Sequence, residues 1–133
     1  MDVLVAALMA WIVSKTGLTT PESPRIIQVP IEQMIEIAGG TGRPQAIYKR
    51  KERTIYLRSD WTPDTLLNKA VLVHELVHYL QEMNNVAAPC ERAHEAESYH
   101  LELAWLSEQG IDDPYSYLQT NELAIMLRSI CLD

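Results

Sequence analysis

The chain has 133 residues, of which 47% are hydrophobic and 22% charged, a balance that fits a single globular domain over residues 1–133 and excludes a disordered segment. Eleven basic against eighteen acidic residues give a formal charge of −7, a field that repels phosphate backbones and anionic headgroups and argues against a nucleic-acid partner. A membrane anchor is not expected either, because the apolar opening from Val3 to Val13 is too short for a bilayer, which takes about 20 residues.

That opening run predicts a core helix with Asp2 as its N-cap and Gly17 at its end. Asp2 stands where a signal peptide carries positive charge, and no small-residue cleavage site follows, so the run is not read as an export signal. Thr19 to Pro24 reads as a proline-bearing linker into a β-branched strand at Arg25 to Val29. Pro30 then opens a short helix with the apolar stripe Ile31, Met34, Ile35 and Ala38, closed by Gly39 and Gly40.

Ala46 to Lys49 and Thr54 to Leu57 predict an antiparallel hairpin with its tip near Arg50 to Glu52. The basic residues around that tip read as a solvated turn rather than a binding patch. Thr62, Pro63 and Asp64 supply a hydroxyl cap, a proline for the first helical position and an acid facing the helix dipole, which predicts a helix from there to about Met83. Further helices are predicted from about Pro89 to Gln109, ended by Gly110, and between Asp113 or Thr120 and Ile130. The fold class that follows is α+β, with helices packed on a small, largely antiparallel sheet.

Cys90 and Cys131 are too few to define a disulfide scaffold. A bridge between them would pin the C-terminal segment to the middle of the fold and place the chain outside the cytoplasm, while two buried free thiols fit equally well. The compartment therefore stays open.

The informative segment is His74, Glu75, Leu76, Val77, His78, an HExxH pattern inside the apolar run Ala70 to Leu80. Histidines four apart stand one above the other on a helix face, so two imidazole nitrogens can converge on one metal, for which Zn2+ is the natural ion. Glu75 lies about 100° round the helix from His74 and can reach a water on that metal, the place of a general base. Zinc lowers the pKa of its water to about 7 and polarises a carbonyl, which together with that base is what peptide-bond hydrolysis needs. Burying two histidines and a glutamate unpaired in an apolar helix would be costly, and a metal satisfies them at once.

A third ligand is required, and the next helix offers Glu91, His94, Glu95, Glu97, His100 and Glu102. Glu91, Glu95 and Glu102 share one face by helical spacing with Ser98 between them, and spacing alone does not choose. Trp11, Trp61 and Trp105 are read as packing residues, and His94 and His100 as surface histidines with an outer ligand partner or oxyanion donor as the alternative. Tyr79, Tyr99, Tyr115 and Tyr117 are further candidates for that donor.

HELVH followed by a helix carrying Glu95, Ala96, Glu97, Ser98 and Tyr99 resembles the gluzincin group of metallopeptidases, over about Thr62 to Gln109. The resemblance implies Glu95 as third ligand and Ser98 as the small residue three positions on. Tyr99 stands where the group usually has Asp, the source of a hydrogen bond to a zinc histidine. It also implies that the strand Thr54 to Leu57 is the edge along which a peptide or protein substrate lies. A metzincin would need Gly at 81 and His at 84, where Gln81 and Asn84 stand, and a deformylase would bring a cysteine from upstream, where there is none. The rival readings are a catalytically inactive peptidase-fold protein acting as a metal-bound binding or regulatory module, and a closed structural zinc site with His94 or Glu91 as fourth ligand.

Overall fold

The computed structural model describes residues 1–40, 42 and 44–132. Helix α1, Asp2–Thr16, has Met1 as its N-cap, so Asp2 sits in the first turn, where its charge suits the helix dipole. It ends at Gly17, whose φ of 76° is one that L side chains rarely adopt. Strand β1 is Arg25–Val29, helix α2 is Ile31–Ile37 with Pro30 as its cap, and strands β2, Ala46–Lys49, and β3, Thr54–Arg58, form the expected hairpin around a 3₁₀ turn, Arg50–Glu52. Then come α3, Leu66–Met83, a 3₁₀ turn at Glu91–His94, α4, Glu95–Glu108, α5, Pro114–Leu118, and α6, Glu122–Ser129.

The fold class is α+β, but the sheet is mixed rather than largely antiparallel. Its order is β1-β3-β2. β2 and β3 pair antiparallel, whereas β1 runs parallel to β3, from Arg25 opposite Thr54 to Val29 opposite Arg58. The stretch between them carries α2 and β2 and is long enough to return the chain to its starting end, as a parallel pairing demands. β3 is thereby the central strand, and the expectation that Thr54 to Leu57 forms a free edge is corrected: β2 holds the edge.

Three helix starts also differ from those predicted. α3 begins at Leu66, because Thr65 is the better cap: its hydroxyl accepts from the Asn68 N–H at 3.1 Å. The Asn68 side chain reaches back to the Thr62 carbonyl at 2.9 Å, so Thr62 to Asp64 form a separate turn. The helix predicted from Pro89 begins at Glu95, preceded by the 3₁₀ turn. In place of one C-terminal helix starting at Asp113 or Thr120 there are two, α5 capped by Asp113 and α6 capped by Asn121 rather than Thr120.

The core is built on α3. Its Leu72, Val73, Leu76, Val77 and Leu80 are fully buried against Val5, Leu8, Met9 and Ile12 of α1, Ile55 and Leu57 of β3, and Trp105 and Leu106 of α4. Trp61 is buried with its indole N–H donating to the Asn68 carbonyl at 2.8 Å, and Trp11 donates to Glu108 at 3.0 Å, so the tryptophans pack. Ile55 is 0% exposed on the central strand, and Ile55→Ala is expected to cost about 2–5 kcal/mol in a denaturant titration without altering the metal site.

Candidate metal centre

α3 is apolar enough to sit between α1, α4 and the sheet, and this burial carries His74 into the interior. One helical turn on, His78 shares its face, and the two rings meet edge-on with centroids 5.0 Å apart. α4 packs alongside and brings Glu95 onto both: its Oε1 is 3.3 Å from His74 Nε2 and in close contact with His78 Nε2. His74, His78 and Glu95 each offer a ligand atom, all within 4.8 Å of one another, and the group could hold a metal ion.

The far sides of the two imidazoles are occupied in a way that suits such an ion. His74 Nδ1 lies 2.9 Å from Glu102 Oε1, and His78 Nδ1 lies 3.0 Å from Gln81 Oε1. With Nδ1 of each ring paired to an oxygen, Nε2 is the nitrogen that faces Glu95 and the cluster. Ser98 Oγ donates to the His74 carbonyl at 2.7 Å, and Gln81 Nε2 donates to the His94 carbonyl at 3.1 Å and to Glu97 at 2.9 Å. Apart from Thr54, the buried polar residues among those described are His74, Gln81, Ser98 and Glu102, all members of this network.

Charge follows the same geometry. Burial disfavours a charged His74, yet the carboxylates of Glu102 and Glu95 overcome it and raise its pKa well above the usual imidazole value. Burial pushes Glu95 up, but its hydrogen bonds with His74 and His78 win and hold it well below the usual carboxylate range. Glu75 is raised by burial, against the pull of His74 and His78. One of its oxygens accepts the Tyr48 backbone N–H of β2 at 2.9 Å.

Glu75 lies with the three candidate ligands in a cleft of about 920 Å³, walled by β2, α3, the 3₁₀ turn and α6. Of the alternatives for third ligand, Glu91 is turned outward, its side chain 73% exposed and 3.9 Å from Arg50, and does not join the group. His94 lines the cleft, its pKa lowered by burial and then by His78 and Arg50, while His100 is an exposed partner of Glu122. Tyr79 and Tyr115 donate to the Glu22 carbonyl and to Glu122, and Tyr117 is exposed on α5. Tyr99 lays its ring against His74, centroids 4.5 Å apart.

Three residues with parts in this arrangement were not assigned them from sequence. Glu102 supplies the carboxylate that Tyr99 cannot, and its i+7 spacing from Glu95 was the visible signal. Gln81 partners His78, and nothing in its neighbourhood of the sequence marks it. Tyr48 lines the cleft, its phenol donating to Glu82 and its pKa raised by burial and by that glutamate. The disulfide left undecided by sequence is present, joining Cys90 to Cys131.

The whole chain, residues 1–133, matches the sequence profile of the domain of unknown function DUF6647, and it belongs to that family. No curated protein and no solved structure matches it.

Removing the carboxylate behind His74 tests the network: Glu102→Ala is expected to weaken divalent-metal affinity by roughly 10–100-fold in a chelator competition titration, with the fold retained. The raised His74 pKa means that protons compete with a metal for this imidazole. Proton release, measured by calorimetry in buffers of different ionisation enthalpy, is expected on binding, and affinity is expected to fall as pH is lowered from 8 to about 6.

Proposed function

We propose that this DUF6647 chain is a zinc-dependent peptide hydrolase of the gluzincin kind, in which His74, His78 and Glu95 hold the ion and Glu75 is the general base. The observation that carries the reading is the placement of Glu75 beside three converging ligand side chains in an open cleft. Among the described residues no fourth protein side chain joins the group, which favours the open coordination of a catalytic site over a closed structural one. Imidazole and carboxylate donors without thiolate suit zinc.

When bound, zinc supplies a Lewis acid that activates water and polarises the scissile carbonyl. Glu75 handles the proton. The Tyr48 N–H holds one carboxylate oxygen, fixing the side chain, while the other is left to take a proton from the attacking water and return it to the departing nitrogen. Its raised pKa makes it a stronger base than an exposed glutamate.

The edge strand gives the substrate its place. The Arg58 N–H donates to the Gln45 carbonyl, so Gln45, Ile47 and Lys49 face β3 in the antiparallel alternation and Ala46 and Tyr48 turn their backbone groups to the outer edge, where the Tyr48 N–H is taken up by Glu75. An extended peptide or protein segment added there lies alongside Glu75. The Cys90–Cys131 disulfide favours an oxidising compartment outside the cytoplasm.

The reading as an inactive binding module leans on Tyr99 standing where the gluzincins have Asp. Glu102, three residues further on, meets that need and removes the support.

Glu75→Gln separates base from ligand. The variant is expected to keep its zinc and to lose about 10²–10⁴-fold in turnover of a quenched fluorescent peptide library. Undiminished turnover in the variant, or none in the zinc-loaded parent, would refute the assignment.

A further inference from the structure

The cleft is less acidic than the molecule around it, its four arginines matched in number by Glu75, Glu82, Glu91 and Glu95. The chain as a whole is at −7, yet Arg50, Arg53, Arg92 and Arg128 all line this one cavity. Their partners differ. Arg50 is matched by Glu82 at 3.1 Å and by Glu91 at 3.9 Å. Arg92 donates to the carbonyls of Leu127 and Ile130, both at 3.0 Å, at the end of α6. Arg53 stands past the hairpin tip, where it acts on Tyr79.

Arg128 is the exception that matters for the metal group. Its guanidinium donates to the Tyr99 hydroxyl and lies over the Tyr99 ring, 5.4 Å from the centroid. That ring packs edge-on against His74 at 4.5 Å, so one aromatic side chain separates the cation from a candidate ligand. No carboxylate among the described residues pairs with Arg128. Tyr99 takes up one N–H and leaves the rest of the fork for an acceptor in the cleft.

The backbone that presents Arg128 is held from three sides. Ile125 of α6 is 1% exposed, the Arg92 guanidinium grips the last carbonyls of the helix, and the Cys90–Cys131 disulfide ties the residue after its end to the turn before Glu95. A guanidinium on an anchored backbone, resting on Tyr99 beside an open cleft, is suited to bidentate recognition of a carboxylate.

We propose that Arg128 is a specificity residue that recognises a carboxylate on the substrate, either a free C-terminus or an acidic side chain. The proposal rests on the peptidase reading for the identity of the substrate, and not for the ion pair itself.

The test uses the disulfide-intact chain carrying Glu75→Gln, so that bound peptide is not consumed. Three probes are titrated by calorimetry, with and without zinc: an N-acetylated tripeptide of alanine and leucine as free acid, its C-terminal amide, and that amide with glutamate in the middle. One of the two anionic probes is expected to bind about tenfold or more tighter than the neutral amide, and which one identifies the source of the carboxylate. Adding Arg128→Gln is expected to erase the preference, Arg128→Lys to restore part of it, and reduction of the disulfide to weaken it, all with zinc content unchanged.

A preference that survives Arg128→Gln overturns the proposal, as does the absence of any preference or of any binding by a correctly folded, zinc-loaded protein. Failure to take up zinc, with an Arg128-dependent carboxylate preference retained in the metal-free protein, condemns the peptidase reading and leaves the role of Arg128 standing.

Discussion

The side chain and backbone of His74 decide how α3 and α4 meet. Glu95, Ser98 and Glu102, at i, i+3 and i+7 on one face of α4, approach its Nε2, its carbonyl and its Nδ1 in turn. A polar helix face is thereby turned inward against a single buried residue. Unpaired, any of these groups would carry the penalty of an unsatisfied buried polar atom. Satisfied together, they fix the register of α4 on α3 within one turn of helix, because a slip would leave His74 facing apolar neighbours.

From that clasp the rest of the site follows. With α4 in register, Glu95 meets both imidazoles, and Gln81, reaching the start of α4, sets the orientation of His78. About 100° round α3 from His74, Glu75 is received by the edge strand β2 through a backbone N–H, which requires no particular side chain there. α6 contributes Arg128 to the cleft wall and is a short helix with one buried residue, Ile125, whose Leu123, Met126 and Leu127 remain exposed. Such a helix has little apolar burial to hold it. Its attachment comes from the disulfide, Arg92 and the His100–Glu122 pair.

Much of this was written locally. HExxH puts both histidines on one stripe because helical spacing is a local rule, and Gly17 and Gly110 end their helices because L side chains rarely adopt their φ values. The polar stripe of Glu95, Ser98 and Glu102 was equally visible, but its meaning depends on which side of α4 meets α3, a tertiary fact. Strand order was illegible for the same reason: short β-prone segments state that strands exist and say nothing of which one lies in the middle. The shift of the α3 start from Thr62 to Thr65 was a competition between two hydroxyl caps, decided by where Asn68 sends its side chain. Nothing in the sequence marks Tyr48, because its backbone position, third in a four-residue strand, is what places it beside Glu75.

The central claim, that a zinc ion is held by two imidazoles and one carboxylate with a position left open, is tested most directly by zinc K-edge X-ray absorption on the purified, zinc-loaded protein. The arrangement of His74, His78 and Glu95 predicts a shell of nitrogen and oxygen only, with the multiple-scattering signature of two imidazoles and a remaining ligand that exchanges with added azide or hydroxamate. A shell containing sulfur, a third imidazole, or four protein donors that no added ligand displaces would contradict it.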